Sequence, residues 1–199
     1  EKEAEKAGVE LVKTTQIEVD SKEDRLKFNL FEAEFETLIN NPIFLQNLVY
    51  CLAMLRSHGF SVTELQQATS NLELNIKGRF HTLHMKDWIL IDDTYNANPS
   101  SFKSVLENMR NLYPQNRKIV VCGKMAELGK KSPELHQQVG IYMVKNSVEV
   151  ILCLGGEEVE SYIEGWVLEG GSLKLAKHFT ELYELLNAFR NELKPGDVV

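Results

Sequence analysis

The stretch IDDTYNANPSS, residues 91 to 101, ends an apolar run on two carboxylates and follows them with a phenol, two primary amides, a proline and two hydroxyls. Such a set can hold a polar ligand. Asp93 can accept hydrogen bonds from ribose hydroxyls or from a metal-bound water, and Tyr95 offers a face for stacking and a hydroxyl. Asn96 and Asn98 can pair with a backbone-like ligand. The same residue types also build ordinary strand-to-helix turns, with Pro99 starting the helix and Ser100 and Ser101 capping its free amides. Arg79, in KGRFH, follows a flexible glycine, where a guanidinium could bind a phosphate bidentately or pair with a surface carboxylate. Asn47 is a lone amide on an apolar helical stretch, to be satisfied by backbone or by an adenine edge. His136, in SPELHQQVG, suits a core or capping position better than a catalytic one. The other four histidines share no metal-ligand spacing, and no metal site is expected in the chain.

These residues need elements to place them. After Gly78 short apolar runs alternate with amphipathic helices, the pattern of a mostly parallel sheet covered on both faces. The expected strands are WILIDD, KIVVCG, EVILCLG and LKLA, with a further one starting at DVV. Between them SSFKSVLENMRNLY, SPELHQQVGIYMVKN, EEVESYIEGWVLEG and FTELYELLNAFRNEL have helical spacing. In such a sheet ligands bind beyond the carboxyl ends of the strands, which are here Asp92–Asp93, Gly123–Gly129 and Gly155–Gly156.

Before residue 78 the texture differs. The segment EKEAEKAGVELVKTTQIEV begins helical and turns β-branched, and RLKFNLFEAEFETL alternates as half-buried strands do. PIFLQNLVYCLAMLRSHGFS reads as a buried helix from Pro42 to a stop at Gly59, and SVTELQQATSNLEL as a second helix with Ser61 and Glu64 in a capping box. A domain boundary is expected near residues 76 to 79.

Composition narrows the function class. A net charge of −7 without a Lys/Arg-rich run argues against a nucleic-acid surface, and no apolar segment is long enough to span a membrane. The 3 cysteines, each inside an apolar run, read as buried free thiols of a reducing cytoplasm. Phosphate-loop, dinucleotide and nucleophile-elbow motifs are all missing, so no complete nucleotide-hydrolysing or acyl-transfer site is expected within the chain. The opening on Glu1 and the stop at LKPGDVV read as the ends of a fragment.

In order and spacing, KGRF, WILIDDTYNANPSSF and KIVVCGKMAELGKKSPELHQQVG resemble the C-terminal half of the Mur ligases. The DDTYNANP stretch is most similar to the members that add D-alanyl-D-alanine to UDP-N-acetylmuramoyl-tripeptide. The resemblance implies an α/β fold in which residues 79–199 form a Rossmann-like C-terminal domain, truncated at its end. Residues 1–78 would be the remnant of a central ATP-binding domain whose phosphate loop lies upstream. It further implies an ATP- and Mg2+-dependent, cytoplasmic, monomeric enzyme of peptidoglycan precursor synthesis that works through an acyl phosphate, with Mg2+ held mainly by the upstream part. Asn47 then matches the family's adenine-contacting residue, Arg79 a catalytic arginine near the ATP phosphates, and Asp93 the ribose-holding carboxylate. Tyr95, Asn96 and Asn98 would shape the D-Ala-D-Ala side. Asn41, Ile43 and Lys124 stand where the family commonly carries Gly, His and an acid. The alternatives are a ligase with another amine acceptor, as in folylpolyglutamate synthases, and a non-catalytic α/β binding module.

Overall fold

The alternation in residues 26–37 becomes a hairpin in the computed structural model, which describes residues 17–18, 26–38, 42–72 and 76–199. Strands β2 (Leu26–Leu30) and β3 (Ala33–Thr37) pair antiparallel through a two-residue turn, with β1 (Ile17–Glu18) on the other side of β2. Phe31 and Glu32 both take positive φ, the twist a two-residue hairpin turn requires. Phe28 and Phe35, directly opposite, stack at 5.5 Å between ring centroids. Helix α1 (Pro42–Ser57) buries Leu45, Leu48, Val49 and Leu52 in the same cluster as these rings. Each fully buried leucine contributes roughly 2 kcal/mol. Gly59 ends α1 at φ +97, with the Phe60 N–H donating back to the Leu55 carbonyl in the manner of a Schellman motif. Helix α2 (Val62–Ser70) starts on the expected capping box between Ser61 and Glu64. The helical reading of the first residues lies outside the described ones, as does Asn41.

The chain divides into two compact units, Glu1–Asn75 and Ile76–Val199. In the second, β4 (His81–His84) and β5 (Ile89–Asp92) form an antiparallel hairpin, while β6 (Ile119–Cys122), β7 (Val150–Leu154) and β8 (Ala176–Phe179) run parallel. Val198 bridges to both Ile89 and Lys118 in parallel sense, so residues 197–199 lie between β5 and β6 and join the two sheets into the order β4, β5, 197–199, β6, β7, β8. A partly buried ion cluster holds this insertion. Asp197 accepts from Arg117 Nη1 at 3.2 Å and from the Lys194 N–H at 2.7 Å, while Arg117 also binds Glu192.

Helices α3 (Pro99–Leu112), α4 (Ser132–Lys145) and α5 (Glu160–Leu168) follow β5, β6 and β7. Leu106, Val139, Met143, Tyr162 and Trp166 from these helices form one cluster with Val120, Cys122, Ile151 and Cys153 of the strands. Leu185 and Phe189 of α6 (Leu182–Glu192) pack instead with Ile119, Val150 and Leu152. Alternate residues of β6 and β7 thus enter opposite layers, which is why these strands read as continuous apolar runs.

Three expectations need correction. The strand placed at LKLA begins only at Ala176, because Leu173–Leu175 form a 3-10 turn that leaves Leu173 and Leu175 exposed. Strand β4 was not expected; its HTLH sequence lacks an apolar alternation, as suits an edge strand. Cys51 is exposed, since Asn47, Tyr50, Cys51 and Met54 form the solvent stripe of α1 at helical spacing. Cys122 and Cys153 are buried as expected, with sulfurs 3.7 Å apart; their mutual hydrogen bond, and then burial, pushes the Cys122 thiol up.

Candidate functional site

The carboxyl ends of β5 and β6 stand on either side of a gap of about 650 Å3 that continues the line of residues 197–199 past Val199. Ile119, Val120, Phe102 and Leu185 make its interior apolar. Its polar rim is the 92–101 segment on one side and Gly123, Lys124 and Ala126 on the other.

The first rim is built by Asp92, a residue whose organising role was not foreseen. Its Oδ1 accepts from the Thr94 hydroxyl at 2.6 Å and the Thr94 N–H at 3.2 Å, and its Oδ2 from the Gly78 N–H at 3.2 Å. The Thr94 hydroxyl bond, above all, holds the Asp92 carboxyl below its ordinary range. The sequence signal was present as Asp-x-Thr, the spacing of an Asx turn. Gly78 stands at φ +77, and its carbonyl accepts from the Tyr95 N–H at 2.9 Å. A Cβ there would lie 3.2 Å from that nitrogen, so both the conformation and the close approach favour glycine.

This turn sets out Arg79. Its guanidinium lies over the Tyr95 ring, 4.4 Å from the centroid, and both side chains are exposed. The next residue, Phe80, turns into the core, and its N–H donates to Asp93 Oδ1 at 2.8 Å. Burial outweighs this bond and raises the Asp93 carboxyl, with the neighbouring Asp92 adding to the rise. Arg79, Asp93 and Tyr95 therefore stand together as a guanidinium, a half-buried carboxylate and an aromatic face.

The two asparagines are partly committed. Asn98 is the N-cap of α3: its Oδ1 accepts from the Ser101 N–H at 2.9 Å, and Ser101 Oγ accepts from the Asn98 N–H at 3.0 Å. The expected capping by Ser100 and Ser101 is corrected accordingly; Asn98 is the cap and Ser101 its reciprocal partner. Asn96 is exposed and its Oδ1 accepts from the Ala97 N–H at 2.9 Å. Each amide nitrogen remains a donor available to a ligand. Asn47 is exposed on α1, in the first unit.

The second rim is held from beneath. His136 is fully buried, accepts from the Met125 N–H at Nε2 (3.0 Å) and contacts the Ser132 carbonyl through Nδ1 (2.7 Å). The Tyr162 hydroxyl donates to the Gly123 carbonyl at 3.1 Å. Lys124 pairs at the surface with Glu158 at 3.2 Å. Among the described residues no group of three His, Cys, Asp or Glu side chains could hold a metal ion.

Residues 78–199 match the family described as Mur ligase, glutamate ligase domain. The chain belongs to the Mur ligase family. Its relatives include the UDP-N-acetylmuramoyl-tripeptide--D-alanyl-D-alanine ligase of Mycobacterium tuberculosis, 32% identical over 126 residues, which covers 55% of this chain and 25% of that protein. The enzyme of the same name from Borreliella burgdorferi is 24% identical over 166 residues, 83% of this chain and 34% of its own length. The chain thus spans between a quarter and a third of the length of these two relatives. Among solved structures, MurF ligase from Thermotoga maritima in complex with ADP is 25% identical with a TM-score of 0.67, covering 88% of this chain and 38% of that one. Acinetobacter baumannii MurF superposes at a TM-score of 0.70 with 22% identity over 92% of this chain and 40% of that one, a likeness of fold. Within the Mur ligase frame the matched segment begins at Gly78, the residue whose turn presents Arg79.

Proposed function

We propose that this chain is the carboxyl-terminal part of an ATP-dependent ligase that joins D-alanyl-D-alanine to UDP-N-acetylmuramoyl-tripeptide in peptidoglycan precursor synthesis. The observation that carries this reading is the Gly78–Tyr95 turn, which sets a guanidinium and an aromatic face beside a carboxylate at the carboxyl end of a sheet. The relatives named for this reaction support it. So does the solved relative bound to ADP, which makes ATP the nucleotide of this proposal.

In this reading Asp93 accepts hydrogen bonds from the ribose through Oδ2, since Oδ1 already receives the Phe80 N–H. Arg79 offsets phosphate charge with its fork of donors, and its stacking on Tyr95 restrains the fork before the ligand arrives. Asn47 serves the adenine edge, and Tyr95 with the amide nitrogens of Asn96 and Asn98 borders the dipeptide. The tripeptide carboxylate, activated as an acyl phosphate, is attacked by the dipeptide amine, and phosphate leaves. Among the described residues no cluster of three His, Cys, Asp or Glu side chains could hold a metal ion, and Mg2+ is assigned mainly to the upstream part of the protein. Residues 1–78 are assigned to the end of the central ATP-binding domain and 79–199 to the C-terminal domain of a monomeric cytoplasmic enzyme. Among the described residues no helix is long and apolar enough to cross a membrane.

The test is phosphate release by the full-length parent with ATP and UDP-muramoyl tripeptide, with and without D-Ala-D-Ala. Dipeptide-dependent release that collapses in Asp93→Ala is expected. Release that ignores the dipeptide would point to another amine acceptor. The 199-residue chain by itself should not turn over, because the phosphate loop of the proposed enzyme lies outside it.

A further inference from the structure

The Gly123–Gly129 loop gains its position from a buried device two helices away. Helices α4 and α5 approach until backbone meets backbone: a Cβ at Gly140 would run into the Tyr162 carbonyl, and one at Gly165 into the Gln137 carbonyl. This approach lays the Tyr162 ring edge-on to the His136 imidazole, with centroids 4.7 Å apart. Phe102 of α3 also lies against Tyr162, at 5.9 Å. The same tyrosine therefore touches the helix that starts at one rim of the gap and, through its hydroxyl, the Gly123 carbonyl of the other. Met125, between them, buries its side chain in the shared core.

The hydrogen bonds fix the state of the imidazole. Met125 N–H can only donate, so Nε2 must present its lone pair, and the ring proton must sit on Nδ1, where the Ser132 carbonyl accepts it. Burial pushes the Tyr162 phenol far up, so its hydroxyl remains a donor to Gly123. A neutral histidine of defined tautomer and a neutral tyrosine together pin two consecutive points of the loop.

We propose that His136 is a positioning residue, which sets the Gly123–Ala126 loop at the carboxyl end of β6 in its ligand-binding position by holding the Met125 amide. The proposal rests on the ligase reading for its kinetic consequence and on geometry alone for the latch. Met125 N–H is buried with the imidazole as its acceptor, so losing Nε2 leaves that amide unpaired and drives the loop outward to water.

Two substitutions separate the atoms. His136→Asn keeps a donor near the Nδ1 position and removes the acceptor, whereas His136→Gln carries a carbonyl oxygen near the position of Nε2. Hydrogen exchange in the 199-residue chain should speed at Met125 by about tenfold in His136→Asn and stay slow in His136→Gln. In the full-length parent, His136→Asn should raise the KM for its substrates by about tenfold with a smaller change in kcat, and His136→Gln should restore it. Unchanged protection of Met125 in His136→Asn overturns the latch, and faster exchange with an unchanged KM overturns the positioning role. Should His136→Asn not fold, Tyr162→Phe removes only the Gly123 bond and is expected to raise KM in the same direction by less; no rise refutes the proposal. If the unsubstituted parent releases no dipeptide-dependent phosphate, the ligase reading fails while Met125 exchange still decides the latch.

Discussion

The two rims, the loops that follow β5 and β6, are held in opposite ways. The 92–101 rim is organised by short polar side chains bonding to backbone nearby in sequence, as Asp92 does with Thr94 and Asn98 with Ser101, and by the reach of Asp92 and Asp93 to the 78–80 turn. The 123–129 rim is pinned by buried aromatic groups from α4 and α5, 11 residues away for His136 and 39 for Tyr162. Short-range polar order survives the loss of any one bond because water replaces it. A buried pin has no such substitute, so damage to its support should spread through the unit.

The largest break is therefore expected far from either rim. Gly165→Ala places a methyl group against the Gln137 carbonyl, and neither backbone can yield without parting α4 from α5. A loss of about 3 kcal/mol or more is expected in denaturant unfolding of the second unit. A loss below about 1 kcal/mol would show that the helix pair can slide, and that the His136–Tyr162 contact does not depend on it. On the polar rim, Asn98→Ala should cost about 1 kcal/mol through its cap, and Asn98→Ser much less, because a hydroxyl can take the same Ser101 N–H. An equal penalty for both would mean that the amide does more than cap.

The same contrast explains what could be read from the chain before its structure. Helices announced by local chemistry were legible: Ser61 and Glu64 form the capping box their spacing promised, and Pro99 opens α3. The inner strands were legible too, because burial on both faces leaves a continuous apolar run. The errors fell at the sheet's two edges, β4 and β8, where HTLH and AKHF are polar as edge strands need to be. At the candidate site, Arg79, Asp93 and Tyr95 were singled out from residue type and motif, and one turn brings them together. The pairing of Tyr162 with His136 was not legible, since it follows from a helix packing set by two glycines and leaves no periodic trace.

A pH series sharpens the contrast. Asp92 is held low by its bonds, so its contribution to stability is present above the ordinary aspartate range and is lost as pH falls through its lowered value. Asp93 is held high by burial, so its contribution has the opposite sign: it is fully present below the ordinary range and is lost as pH rises through the raised value. Relative to the unsubstituted chain, Asp92→Asn should be less stable at neutral pH with a deficit that closes on acidification. Asp93→Asn should gain at neutral pH and lose that gain in acid. Parallel melting curves for the two variants across this range would contradict the assignment of opposite environments to adjacent carboxylates.

The smallest effect is expected at Lys124. Its pairing with Glu158 links the 123–129 rim to the turn after β7, with the lysine side chain exposed. The Glu158 backbone N–H, and after it the Lys124 side chain, hold the Glu158 carboxyl low, yet water screens both side chains. Lys124→Ala should leave the melting midpoint of the second unit where it is, and Met125 exchange slow, since the Met125 side chain, His136 and Tyr162 remain in place. A measurable fall in either would mean that surface charge holds this rim, and the distinction between a polar rim and a pinned one would then fail.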